Sequence, residues 1–183
     1  ITGGFEFTEP LSSAKLYEPA TDSFSSTGSM AGVSLSATLL LDGKVLLLGL
    51  GYSIGSILGP TNAELYDPAT ASFSSTGNMI ISRRDHTATL LGSGKVLVAG
   101  GVAFPGGGIL DFAEIYDPST GTFSSKAYMT TLRVSHTATL LPNGKVLLAG
   151  GNIIGVSAEL YDPAGTFSSI GSMAEVRFEH TAT

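Results

Sequence analysis

Cysteine and tryptophan are missing from all 183 residues, only 13% of the side chains are charged, and histidine occurs three times. Without cysteine there can be no disulfide, no thiolate metal site and no cysteine nucleophile. The compartment stays open on that ground, and a secreted or cell-surface setting is compatible with it. A net charge of -6 and the lack of any Lys/Arg cluster argue against nucleic acid and against an anionic membrane surface, both of which need concentrated positive charge. Aliphatic runs such as Val45 to Leu48 fall far short of the roughly 20 residues of a spanning helix. Membrane insertion is therefore not expected. Neither end reads as a signal peptide, so any targeting segment is expected upstream of Ile1. With so little charge there is scant material for the polar face of a helix. The 43% of hydrophobic residues and 24 glycines suit strands covered on both faces.

What is present is one unit, nearly four times over. Tyr17, Tyr66, Tyr116 and Tyr161 each close an Ala-Glu/Lys-Leu/Ile-Tyr block, followed by Asp or Glu, Pro, a Phe-Ser-Ser and then Met30, Met79, Met129 or Met173. Tyrosine spacings of 49, 50 and 45 are too long for a β-helix or leucine-rich solenoid and point to a propeller-like array. No helical periodicity is found.

The third copy shows the strands. His136 to Leu141 is a β-rich run, Pro142-Asn143-Gly144 a turn, and Lys145 to Gly151 a second run. Asn-Gly, with Asp42-Gly43 and Ser93-Gly94 in the other copies, predicts a type I′ hairpin turn with both central residues at positive φ. Ala158 to Asp162 is the third strand, stopped by Asp-Pro, where Asp caps the turn and Pro removes a donor. Thr166 to Ser169 is the fourth. Four antiparallel strands in about 50 residues make a propeller blade.

The succession Arg-x-x-His, hairpin, Gly-Gly, loop, Tyr-Asp-Pro, aromatic and Met resembles the kelch repeat over essentially the whole chain. The resemblance implies an all-β, kelch-like β-propeller of about four blades, each of four antiparallel strands. The expected division is a partial blade at 1–30, blades at 36–79, 86–129 and 136–173, and the start of another at 180–183. Rings of five to seven blades are usual in the family, so a segment of a larger ring is expected, with self-association if the arc is open. There are departures. Phe24, Phe73, Phe123 and Phe167 stand where the family has Trp, Gly49-Leu50 replaces the first Gly-Gly, and Val33 and Ser36 stand where later copies carry Arg83/His86, Arg133/His136 and Arg177/His180. Some kelch-like propellers form the body of secreted copper oxidases acting on sugars. Those depend on a cysteine crosslinked to tyrosine beside copper, which these residues cannot supply.

Residues repeated in every copy do what every blade needs. The three histidines fall in different blades and cannot easily share one metal, since stacked sheets lie about 10 Å apart. Each is expected to bond backbone of its own or the neighbouring blade, with the preceding Arg paired to a nearby carboxylate such as Glu64, Glu114 or Glu159. Tyrosines, phenylalanines and methionines are expected between blades. Asp67, Asp117 and Asp162 lack a calcium loop's acidic spacing. Gly51-Tyr52-Ser53-Ile54-Gly55 matches a nucleophile pattern without the helix, His and acid it requires. Gly106-Gly107-Gly108 lacks a helix N-terminus to hold phosphate and reads as a flexible loop. No catalytic residue, metal or cofactor is expected.

Function is then expected where the copies differ, in the loops between second and third strands and the connections into the next blade, which share one ring face. Phe5 and Phe7 lie in the first such loop, Tyr52 and Ile54 in the second, Phe104, Ile109 and Phe112 in the third and Ile153 in the fourth, with Arg84 and Asp85 on the neighbouring connection. Exposed apolar and aromatic groups on a rigid frame suit recognition of a protein or glycan partner. The competing readings are the propeller portion of a secreted carbohydrate-active enzyme and a structural surface array.

Overall fold

The computed structural model describes residues 5–6, 9–32, 36–49, 61–104, 106–151 and 155–181. Among them there is no helix; every regular element is a strand in an antiparallel pair. β1 (Phe5–Glu6) pairs with β2 (Glu9–Pro10), and β3 (Ser13–Glu18) with β4 (Ser23–Ser29). A four-stranded meander follows, made of β5 (Ser36–Leu39), β6 (Val45–Leu48), β7 (Ala63–Asp67) and β8 (Ser72–Ser75). After β9 (Arg83–Arg84) the next meander runs through β10 (Thr87–Leu90), β11 (Val96–Ala99), β13 (Phe112–Asp117) and β14 (Thr122–Tyr128). Between β11 and β13 lies β12 (Val102–Ala103), which turns back onto β9. The last meander is β15 (Thr137–Leu140), β16 (Val146–Ala149), β17 (Ser157–Asp162) and β18 (Thr166–Ser172). We number the sheets one to four, starting with β3–β4.

First strands stand side by side, β5 against β10 and β10 against β15. Second strands are sandwiched between sheets, so both faces of β11 are buried along its length, which is why these runs read as continuous Val/Leu rather than as alternation. Fourth strands carry the serines and are mostly exposed.

The core lies between sheets. From sheet two come Leu46, Leu48, Ala63 and Met79; they meet Val96, Val98 and Tyr116 of sheet three. Leu97, Ala99, Ile115 and Met129 on the other side of sheet three meet Val146, Leu148 and Tyr161 of sheet four. Met30 closes the same contact against Leu47 and Tyr66. Each Tyr rests on the Phe of its own sheet, with ring centroids 4.8 to 4.9 Å apart in sheets two to four. Tyr66, Tyr116 and Tyr161 with Met30, Met79 and Met129 are thus inter-sheet packing, whereas Tyr17 and Phe24 are exposed.

The hairpin turns differ from expectation. Leu141 N–H donates to Lys145 O and Gly144 N–H to Leu141 O, which makes a three-residue loop rather than a two-residue one. Only the glycines have positive φ, +84° at Gly43, +81° at Gly94 and +82° at Gly144. This is a type I turn closed by a glycine bulge, a geometry that Pro142 fits because its fixed φ matches the first central position. Asn143 Oδ1 and Asp42 Oδ1 accept from the amides two residues on. At the same end of the sheets, Asp67, Asp117 and Asp162 accept the second following amide and pair with Lys44, Lys95 and Lys145. The Lys95 bond and the Ser119 hydroxyl and amide hold Asp117 down to about 2.

Candidate binding face

At the opposite end Arg-x-x-His segments enter the meanders of sheets three and four, and a third follows β18. Both described guanidinium groups that precede a meander are fully buried. Arg83 Nη2 lies 2.6 Å from Glu114 Oε1, while Nη1 donates to the carbonyls of Gly100 and Phe112. Arg133 Nε lies 2.5 Å from Glu159 Oε1, and Nη1 donates to Gly150 and Ser157 carbonyls. The other carboxylate positions accept main-chain amides, Ile80 and Ile81 on Glu114 and Thr130 on Glu159. Glu64 takes no arginine; both its oxygens accept from Ala31 N–H. Burial pulls the Arg83 guanidinium below its ordinary value, against the opposing pull of Glu114.

The histidine Nε2 atoms bond hydroxyls of the preceding sheet. Nε2 lies 2.9 Å from Ser36 Oγ for His86, 2.9 Å from Thr87 Oγ1 for His136, and 3.2 Å from Thr137 Oγ1 for His180. Each inner strand therefore offers one hydroxyl to the next blade's histidine. This corrects the sequence register of the first copy: Ser36 pairs across from Leu48 as Thr87 does from Ala99, so Ser36 matches Thr87 and not His86. Leu35, the true counterpart of the histidine, lies outside the described residues, as does Val33.

Desolvation, helped by the nearby arginine, lowers His86 to about 4 and His136 to about 3. The nearby cation is Arg83 for His86 and Arg133 for His136. Since the unfolded chain takes up these protons near pH 6.5 and the folded chain does not, stability is full above that value. It falls as pH drops towards about 4 for His86 and about 3 for His136, at up to ~1.4 kcal/mol per pH unit for each ring. Urea unfolding should therefore lose about 2 kcal/mol between about pH 6 and pH 5. In His136→Gln roughly half of that slope should vanish; an unchanged slope would mean the rings do not carry it.

Directly before each histidine stands a residue in the left-handed region, Asp85 at φ +56°, Ser135 at +51° and Glu179 at +49°. Ser135 N–H donates to Asp85 O, and Glu179 N–H to Ser135 O. These bonds run from one inner strand's entry to the next, forming a row whose side chains differ in every copy. Asp85 and Glu179 are exposed and Ser135 is half-buried. Exposed Arg84 pairs with Asp85 at 2.7 Å.

Beside this row rises a hairpin. Val102 and Ala103 pair with Arg84 and Arg83, Ala103 N–H donates to Gly108 O, Phe104 N–H to Ser82 O, and Arg133 N–H to Leu110 O. The glycines at 106–108 therefore form the tip of a bonded hairpin, not a loop without structure of its own. Phe104 is 38% exposed at that tip. Ile109 and Phe112 are half-buried, and Phe112 packs on Tyr128 and beneath the Arg83 guanidinium.

Of the sequence candidates, Arg84, Asp85, Phe104 and Ile109 thus come together on one face, with Phe112 as a support at the base. Phe5 lies in β1. Phe7, Tyr52, Ile54 and Ile153 lie outside the described residues. Ser135 and Glu179 were overlooked, although a signal existed: they precede His136 and His180 as Asp85 precedes His86. Among the described residues no three His, Asp or Glu side chains converge as metal ligands. Hollows among the described residues lie elsewhere. One of about 240 Å³ sits between sheets one and two against Ala14, Leu16 and Tyr66, and one of about 390 Å³ at the opposite end beside Leu41, Asp42 and Lys95.

No family profile and no curated protein matches the sequence. Solved structures do resemble the fold. The structure of YjhT superposes with a TM-score of 0.72 at 14% identity, covering 94% of this chain and 65% of that one. A fungal alcohol oxidase of the AA5 family, solved in complex with copper, superposes with a TM-score of 0.59 at 19% identity over 76% of this chain and 30% of that one. This chain therefore spans under two thirds of the length of the first and under a third of the second. At such identities the likeness carries the fold alone. The chain is an all-β, propeller-like assembly of antiparallel sheets, three of them four-stranded among the described residues.

Proposed function

We propose that the protein is a non-catalytic binding scaffold of the kelch type that recognises a protein or glycan partner through the face bearing Asp85, Ser135, Glu179 and the 102–110 hairpin. One observation carries this reading: Asp85, Ser135 and Glu179 differ between copies and stand in one row on that face, while the repeated Arg83–Glu114 and Arg133–Glu159 pairs are consumed in buried hydrogen bonds. A rigid frame presenting an aromatic tip and a mixed-charge row suits docking without chemistry. The likeness to the AA5 oxidase favours a second reading, the propeller portion of a carbohydrate-active enzyme.

The test compares the wild-type chain with a variant carrying Arg84→Gln, Asp85→Asn, Phe104→Ser and Glu179→Gln, and with Leu41→Ser, altered at the opposite end. Glycans and proteins retained on immobilised wild type should be retained by Leu41→Ser and lost from the four-site variant, with melting unchanged. Equal retention by that variant would sink the proposal. Copper-dependent oxidation of a sugar alcohol by the unaltered chain would favour the second reading.

A further inference from the structure

Sheets three and four each receive a guanidinium group from the chain itself, and sheet two keeps the receptor for one without the arginine. In sheets three and four the receptor has three parts: the buried Glu114 or Glu159 carboxylate, the carbonyl of Gly100 or Gly150 after the second strand, and the carbonyl of Phe112 or Ser157 at the start of the third. Sheet two repeats all three. Glu64 is 6% exposed. Leu48 pairs with Ala63 as Ala99 pairs with Ala113 and Ala149 with Ala158, so Gly49 stands where Gly100 and Gly150 do, and Asn62 where Phe112 and Ser157 do. Gly49 also shares their left-handed backbone, φ +78° against +62° and +70°.

What sheet two lacks is the cation. Met30 and Ser36 lie two residues closer in sequence than Met79 and Thr87 or Met129 and Thr137, and the shorter passage from Ala31 to Leu35 contains no Lys, Arg or His. None of the ion pairs among the described residues reaches Glu64. Its two oxygens share one donor, the Ala31 N–H, at 3.2 Å each. Glu114, by contrast, accepts two amides besides its arginine, and Glu159 accepts the amide and the hydroxyl of Thr130 besides its own. A carboxylate so deeply buried without a countercharge is costly. Ala31, which donates to it, and Asn62, two residues before it, are exposed, so Glu64 lies just beneath the surface.

We infer that the junction of sheets one and two is a guanidinium-binding site, where Glu64 takes from outside the group that Arg83 and Arg133 supply within the chain. A planar fork of donors fits a carboxylate flanked by two carbonyls, and it is more weakly hydrated than an ammonium, so it enters a buried site at lower cost. The group is carried either by an arginine side chain of a protein or by a free guanidino compound. Arg84, Asp85, Phe104 and Glu179 take no part, so the site stands or falls separately from the docking proposed above.

The test titrates N-ethylguanidinium, ethylammonium and the capped tripeptides Gly-Arg-Gly and Gly-Lys-Gly into the full chain at millimolar concentration and follows the amide resonances. N-ethylguanidinium should shift the Ala31 amide saturably, and ethylammonium should do so more weakly. In Glu64→Gln, which keeps the size and removes the charge, the saturable shift should vanish while the other resonances hold their places. If that variant does not fold, Glu64→Asp, which shortens the reach, should weaken the response. A shift with Gly-Arg-Gly but not Gly-Lys-Gly assigns the group to a protein's arginine, and a shift with the small ion alone assigns it to a free compound; both support the site. No saturable shift with either guanidinium probe, an equal response to ethylammonium, or a response unchanged in the Glu64 variants would overturn the inference.

Discussion

Gly100→Ala should cost at least about 3 kcal/mol of folding stability, against about 1 kcal/mol for Gly144→Ala. Both glycines have positive φ, +62° and +82°, so both substitutions incur the left-handed penalty of an L-residue. Their surroundings differ. A Cβ on Gly144 meets open space, whereas one on Gly100 would stand 2.6 Å from the Arg133 carbonyl and 2.9 Å from the His136 ring. Neither neighbour can step aside cheaply, since the Arg133 carbonyl accepts from Gly101 N–H and the ring bonds Thr87. The Gly-Gly pair is therefore the place where one sheet's second strand meets the next sheet's Arg-x-x-His turn. Denaturant midpoints at fixed m-value measure the difference; equal costs at the two sites would show that the close approach does not exist.

Arg133→Met should destabilise by about 3 to 5 kcal/mol, because it strands Glu159 as an uncompensated charge with no exposure. The same guanidinium also satisfies the Gly150 and Ser157 carbonyls, so the loss spreads to the end of β16 and the start of β17. Pairing Arg133→Met with Glu159→Met should recover only part of it, since Thr130 N–H then loses its acceptor. By contrast Arg84→Gln, one residue beyond the equivalent Arg83, should shift stability by under about 0.5 kcal/mol, as its ion pair is exposed. Unfolding free energies in urea decide the matter. A cost below about 1 kcal/mol for Arg133→Met would mean the pair contributes little beyond its own desolvation.

The strand order, the inter-sheet place of Tyr, Phe and Met and the arginine–glutamate pairs were legible because each recurs with one spacing. What failed to read through was whatever depended on local geometry or on register. The type I turn with a glycine bulge and the I′ turn share the same Asn-Gly signature, and only the hydrogen bonds of Leu141 with Lys145 and Gly144 separate them. Val33 and Ser36 keep the three-residue spacing of Arg83 and His86, so spacing alone sets Ser36 against the histidines, one residue out of register. Cross-strand pairing corrects it. The 102–110 hairpin was hidden because glycines at 106–108 carry no alternation, although backbone bonds to Ser82 and Gly108 order it. The left-handed backbone of Ser135 and Glu179 has no residue signature, so only their place before His136 and His180, shared with Asp85 before His86, marks them in the sequence.

Repeated positions build the frame, and differing positions on one face do not. A protease-resistance scan of every single substitution in the full chain separates the two. Intolerance should concentrate at Gly100, Tyr116, Arg133, His136 and Glu159, while Arg84, Asp85, Phe104 and Glu179 should accept most replacements. Phe104 and Glu179 proving as intolerant as Arg133 would contradict the account, because those residues would then belong to the frame.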